Sequence, residues 1–128
     1  MVGVPIAVQV KDSIFDPDSD DRTVRVKQQA GKRPLYRVFL YLDGPDLPFV
    51  DSATYALHSS FPDPVRTVTR GLANPRCKLE IWTWGTFRVN VTIFDRNSHS
   101  YPLYHDLHYD DEFSEANVKF LREPLAAG

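Results

Sequence analysis

Ile81-Trp82-Thr83-Trp84-Gly85-Thr86-Phe87-Arg88-Val89-Asn90-Val91-Thr92-Ile93-Phe94 is the stretch whose reading decides the fold. From Phe87 onward it alternates, with Phe87, Val89, Val91 and Ile93 on one side and Arg88, Asn90 and Thr92 on the other. A period of two built from β-branched and aromatic residues marks a strand buried on one face. Just before it, Trp84-Gly85 interrupts the pattern, and glycine lets a backbone turn sharply or approach a partner closely. Two indoles therefore stand where a strand meets a turn. Either they cap the core, as tryptophan is mostly well buried, or they belong to a binding loop presented by a rigid scaffold.

Working outward, the chain is a series of short extended runs separated by turns. Tyr36–Leu42 is apolar on both faces and reads as a central strand, ended by the turn chemistry of Asp43-Gly44-Pro45-Asp46. Val4–Val10, Thr23–Lys27, Ala53–Leu57, Val65–Thr69, Lys78–Trp82 and Tyr101–Tyr109 read as further strands. Ten prolines argue against long helices, and only Asp110–Arg122, with Asp111 or Ser114 as a cap, has the pattern of a helical turn or two. Together these predict one all-β domain over residues 1–128. Its expected form is an immunoglobulin-like antiparallel β-sandwich of roughly seven or eight strands, with a short C-terminal helical segment and no inter-sheet disulfide.

Composition narrows the function classes. A formal net charge of −2 supplies no whole-chain pull toward nucleic acid or acidic membrane. The basic residues from Arg22 to Arg37 alternate with apolar ones, the pattern of a solvated strand face, so nucleic acid is not an expected partner. No apolar run is long enough to span a bilayer. One cysteine, Cys77, cannot form an internal disulfide, and no leader-like segment is present, so an intracellular, cytoplasmic setting is expected. The acidic loop Asp16–Asp21 lacks the glycine and the closing glutamate of a calcium loop. His105 and His108, three apart on a strand, would point to opposite faces. Neither a metal nor a cofactor is expected. His58 with Ser59 and Ser60 has no orienting third group in a recognisable local motif, and a loop bonded to its own backbone is the better reading.

Two motifs in order carry a family resemblance. Leu57-His58-Ser59-Ser60-Phe61-Pro62-Asp63-Pro64-Val65-Arg66, followed downstream by Trp84-Gly85-Thr86-Phe87-Arg88-Val89, resembles the YEATS domain. Members carry Leu-His-x-Ser-Phe-x-x-Pro-x-Arg and then Gly-Trp-Gly-x-Phe opening a strand. The Phe-Pro-Asp-Pro-Val-Arg wording is more similar to the prokaryotic branch than to eukaryotic chromatin readers. The resemblance implies a binding module rather than an enzyme, with a protein or peptide partner and an acylated lysine as the candidate ligand. It also implies an adaptor or sensory unit that accompanies other domains. The binding residues it implies are His58, Ser59, Ser60 and Phe61 in one loop and Trp82, Thr83, Trp84 and Gly85 in the other. A neutral amide suits such a place, since its flat face stacks on Trp and Phe and its polar atoms meet hydroxyl and backbone groups. The runner-up is an immunoglobulin-like scaffold that makes protein contacts without a small-ligand groove.

Two positions depart from the pattern. Thr83 stands where the family has glycine, and Ala30-Gly31-Lys32-Arg33-Pro34 offers no aromatic ring where many readers supply one. Trp84 is expected partly exposed at a loop tip, with acyl-lysine binding weakened.

Overall fold

The computed structural model describes residues 6–20, 23–29, 31–109 and 119–123. Nine strands run through them: β1 (Gln9–Ser13), β2 (Thr23–Gln29), β3 (Lys32–Asp43), β4 (Val50–Ala56), β5 (Val65–Thr69), β6 (Leu79–Thr83), β7 (Arg88–Asp95), β8 (Ser100–Asp106) and β9 (Lys119–Glu123). The strands form a five-stranded sheet in the order β1-β3-β2-β9, with β6 also on β3, and a four-stranded sheet in the order β5-β4-β7-β8. With almost no helix, this is the all-β, immunoglobulin-like class that the alternation implies. By contact the described residues fall into two compact units. One holds residues 6–11, 41–79 and 87–107, and the other holds 12–20, 23–29, 31–40, 80–86, 108–109 and 119–123. No helix among the described residues is long and apolar enough to cross a membrane.

In the first unit β7 lies between β4 and β8. Val89, Val91 and Ile93 are buried while Arg88 and Asn90 are exposed, so the alternation places one apolar row inward. Each such side chain contributes about 1.5–3 kcal/mol by leaving water. Phe87, at the end of the row, is only half-buried. Across the ladder Tyr55 faces Val91 and Ala53 faces Ile93. The register shifts between Val50 and Ser52. That bulge turns both Val50 and Ala53 inward, three residues apart, which hides the first half of β4 from a period-two reading.

The buried Tyr55 hydroxyl donates to the Cys77 carbonyl at 2.7 Å and anchors the segment leading to β6. Burial pushes the Tyr55 phenol well above its ordinary range. Asp95 organises the turn from β7 to β8, its carboxylate accepting from the Asn97 and His99 N–H groups and the Tyr101 hydroxyl. At the chain's start the backbone of Ala7 is tied to the turn after β3, donating to the Asp46 carboxylate at 2.7 Å and accepting from the Asp46 N–H at 3.2 Å. Gly44 is required there. Its φ is +140°, and a β-carbon would collide with the Ala7 carbonyl oxygen. With Ala7 so engaged, the first strand begins at Gln9 rather than near Val4, and Val4 and Pro5 of the expected Val4–Val10 lie outside the described set.

β3 is the central strand of the five-stranded sheet, as its two apolar faces imply, lying between β1 and β2 and pairing with β6 as well. Val38 and Leu40 are fully buried, as are Val24 on β2 and, at 1% exposure, Ile81 on β6. β2 and β3 form an antiparallel hairpin turned at Gly31, whose φ is +70°. β9 pairs with β2 in parallel, Thr23 opposite Lys119 through Lys27 opposite Glu123. This corrects two expectations. The sheets are not wholly antiparallel, and Lys119–Glu123, most of it within the proposed C-terminal helix, is strand. Ladder hydrogen bonds from β2 override a weak local helix preference. Residues 110–118 lie outside the described set.

Candidate functional site

The loop between β4 and β5 is closed by the Leu57 N–H donating to the Pro64 carbonyl at 2.7 Å. Inside it the Ser60 backbone N–H donates to His58 Nδ1 at 3.1 Å, and the Ser60 hydroxyl lies 2.8 Å from the same nitrogen. An amide nitrogen can only donate, so Nδ1 is the acceptor and the ring proton sits on Nε2. The Phe61 N–H closes a further turn onto the His58 carbonyl at 3.0 Å. Arg66, on β5, reaches back with Nε to the Asp63 carbonyl and Nη2 to the Pro62 carbonyl, at 3.1 and 3.0 Å. Its fork clamps a loop in which Asp63 holds a positive φ of 47°. This is the self-bonded loop expected from its polar residues.

Rings complete it. Phe87 meets the His58 ring edge-on at 6.3 Å and the Phe61 ring at 5.4 Å. His58, Ser60 and Phe61 are thus brought together, with Phe87 as their support, and Ser59 is exposed beside them. Phe87 therefore supports the loop rather than completing the buried row of β7. Its place at the start of that row gave the signal for packing, but not for this partner.

The second loop, at the end of β6, is organised by Thr83. This side chain is 5% exposed, and its hydroxyl donates to the Gly85 carbonyl at 2.9 Å and accepts from the Gly85 N–H at 3.3 Å. The Tyr109 hydroxyl also donates to the Gly85 carbonyl, at 3.2 Å. Neither Thr83 nor Gly85 has a positive φ, and a β-carbon at Gly85 would meet nothing within 4 Å. The turn is therefore made by the threonine side chain and not by glycine's freedom. That accounts for threonine at this position without strain.

Trp84 projects from this turn with 57% of its surface exposed, while Trp82 is half-buried. The Arg33 guanidinium stands 5.1 Å over the Trp84 ring, and the Lys27 ammonium 4.1 Å over Trp82. Cations over indole faces are attracted by the ring quadrupole, by about 0.5–1 kcal/mol at exposed sites. The segment that lacks an aromatic ring thus supplies a cation to Trp84 instead. Nothing in the sequence pairs residue 27 with 82 or 33 with 84. Only the sheet order β2-β3-β6 brings them together.

His108 lies beyond β8, which stops at Asp106, so strand alternation does not extend to it. Its backbone N–H donates to the buried Asp12 carboxylate at 2.9 Å, with Nε2 3.3 Å from the other oxygen. Cys77 is fully buried, and burial pushes its thiol up to about 11.

The family model described as the prokaryotic YEATS domain matches residues 36–108. No curated protein matches the chain. Among solved structures the chain is similar to the Yaf9 YEATS domain recognising an H3K122suc peptide, with a TM-score of 0.55 and 16% identity over 88% of this chain and 82% of that one. It is also similar to the yeast AF-9 homologue Yaf9, with a TM-score of 0.51 and 16% identity over 82% of this chain and 71% of that one. At this identity the likeness shows the fold alone. The family match spans more than half of the chain and both aromatic loops, so the chain belongs to the prokaryotic YEATS domain family.

Proposed function

We propose that this domain binds rather than catalyses, taking a peptide or protein partner on the aromatic loop Trp82–Gly85, with the self-bonded loop His58–Phe61 as a contact surface in its own right. The observation that carries this reading is Trp84. An indole more than half exposed, on a turn held by both Thr83 and Tyr109, is a rigid stacking surface offered to solvent. The Yaf9 YEATS domain, similar in fold, recognises an H3K122suc peptide. An acylated lysine is the ligand class proposed here, since acylation removes the ammonium charge that such a surface would have to desolvate. An intracellular setting suits the single, buried thiol of Cys77.

Arg33 sets the preference within that class. A neutral acyl amide competes with the guanidinium for the Trp84 face, whereas an acyl group ending in a carboxylate pairs with it. Calorimetry with acetyl-, crotonyl- and succinyl-lysine peptides tests this. We expect weak binding, about −4 to −6 kcal/mol, with the succinyl peptide the tightest and all binding lost in Trp84→Ala. Binding indifferent to acylation, or unchanged in Trp84→Ala, would overturn the reading and favour a scaffold without a ligand groove.

A further inference from the structure

The four-stranded sheet ends in two edges, β5 and β8, and only one of them is guarded. The bonds Leu57 N–H to Pro64 carbonyl and Arg70 N–H to Asp51 carbonyl, with Ala53 opposite Val68 and Tyr55 opposite Arg66, fix how β5 sits on β4. In an antiparallel ladder hydrogen-bonded pairs alternate, so residues 64, 66, 68 and 70 turn their backbone groups inward. The N–H and C=O groups of Val65, Thr67 and Thr69 point off the edge. All three residues are exposed, Val65 by 63%.

On β8 the Leu107 N–H bond to the Phe87 carbonyl sets Ser100, Pro102, Tyr104 and Asp106 outward by the same logic. Pro102 has no N–H to offer, and Asp106 carries a charge already engaged by Arg88 at 2.8 Å. At 65, 67 and 69 there is neither proline nor charge. An unguarded edge of β-branched residues is a template for another strand.

We propose that β5 pairs with β5 of a second copy of this chain, antiparallel, about a two-fold axis through Thr67. The outward set is odd in number and uncharged, so the axis pairs Thr67 with its own copy and each Val65 with the other copy's Thr69. Two bonds for each of these three pairs engage every outward donor and acceptor of both strands. β-branched residues face β-branched residues throughout, a favourable cross-strand match. A charged foreign peptide would find no counter-charge at these positions. Arg66 and Arg70 lie at the alternate positions and are held by their own chain, Arg66 at the Pro62 and Asp63 carbonyls and Arg70 at the Pro75 carbonyl, 3.2 Å away. The occupant the edge fits is its own sequence.

Sedimentation velocity of the wild-type chain tests this, with a concentration-dependent shift toward dimer expected between about 10 µM and about 1 mM, the range of a small interface. Thr67→Lys sets two ammonium groups face to face on the axis and is expected to stay monomeric throughout, with an unchanged circular-dichroism spectrum. Thr67→Cys reads the register directly, because Cα atoms of a hydrogen-bonded pair lie about 5.5 Å apart, within disulfide range. Under mild oxidant it is expected to cross-link at least about ten times faster than Thr92→Cys, which sits on an inner strand of the same sheet, β7. Should Thr67→Lys fail to fold, the comparison of the two cysteine variants decides. A wild-type chain monomeric at the highest concentration would overturn the proposal. So would a folded Thr67→Lys that dimerises as well as wild type, or Thr67→Cys cross-linking no faster than Thr92→Cys.

Discussion

Replacing Tyr55 by phenylalanine removes one oxygen and leaves the ring in place. The lost hydroxyl donates to the Cys77 carbonyl at 2.7 Å, and both residues are fully buried. No water reaches that carbonyl to replace the donor, so the variant leaves a buried acceptor without it, at a cost of about 1–3 kcal/mol. Cys77 adds to the sensitivity, since it is held at a φ of 49° that surrounding contacts must maintain. For a chain of this size each kcal/mol lowers Tm by roughly 4 °C, so a fall of about 4–12 °C is expected. Thermal unfolding followed by circular dichroism measures it. Cys77 provides a second readout. Burial pushes its thiol up to about 11, so thiolate is scarce at neutral pH and reaction with a thiol reagent waits on opening. Where opening is fast relative to reaction, the rate follows the open population and rises about 5- to 150-fold in the variant. A loss below about 0.5 kcal/mol with unchanged thiol reactivity would refute the claim that this hydroxyl anchors the Cys77 segment.

Three further outcomes follow from the same structure. Ile93→Ala on the buried row of β7 should cost about 2–4 kcal/mol in urea unfolding through the cavity it leaves, and Thr92→Ala on the other face under about 1 kcal/mol; equal losses would mean that both faces are buried. Gly44→Ala should destabilise by about 1–3 kcal/mol, because of its φ and the Ala7 carbonyl. Gly85→Ala, with open space around it, should stay within about 0.5 kcal/mol; the reverse order would discredit the turn assignments. The third concerns acid. The hydrogen bond and charge of Lys11 hold the Asp43 carboxyl below its ordinary range, and those of Arg88 do the same for Asp106. At Asp95 burial works upward but is outweighed by hydrogen bonds from the His99 N–H, the Tyr101 hydroxyl and the Asn97 N–H. Carboxyls held low bind a proton less readily folded than unfolded. Their stabilisation is full at neutral pH and is lost as pH falls through and below about 4. Urea midpoints should therefore fall as pH drops from about 5 to about 3, and a flat profile would remove these contacts from the account.

Much of this was legible in the sequence because it is local. The β7 alternation needs only neighbours two apart, and the His58–Phe61 loop bonds to itself within a few residues. What escaped reading depends on distant pairing. The bulge at Val50–Ser52 breaks the period that would have announced β4 three residues earlier. β9 is strand because β2 lies beside it, a fact no helix propensity contains. At the candidate site the indoles were legible, but their cations were not, since Lys27 and Arg33 reach Trp82 and Trp84 only through strand order. Thr83 reads as a departure from the family pattern until its hydroxyl is seen to build the turn.

The β2–β9 pairing bears on how the chain reaches its folded state. Thr23 meets Lys119, and Asp12 meets His108 across a separation of 96 residues. Contacts so far apart return their energy only after a long loop has closed, and proteins rich in them fold in roughly milliseconds to seconds rather than microseconds. During synthesis, at about 5–20 residues per second, β2 emerges several seconds before its β9 partner exists. Until then one side of β2 is an open strand edge on the nascent chain. The five-stranded sheet is completed after translation has passed Glu123, and the interval before that is when this protein has most need of protection from aggregation.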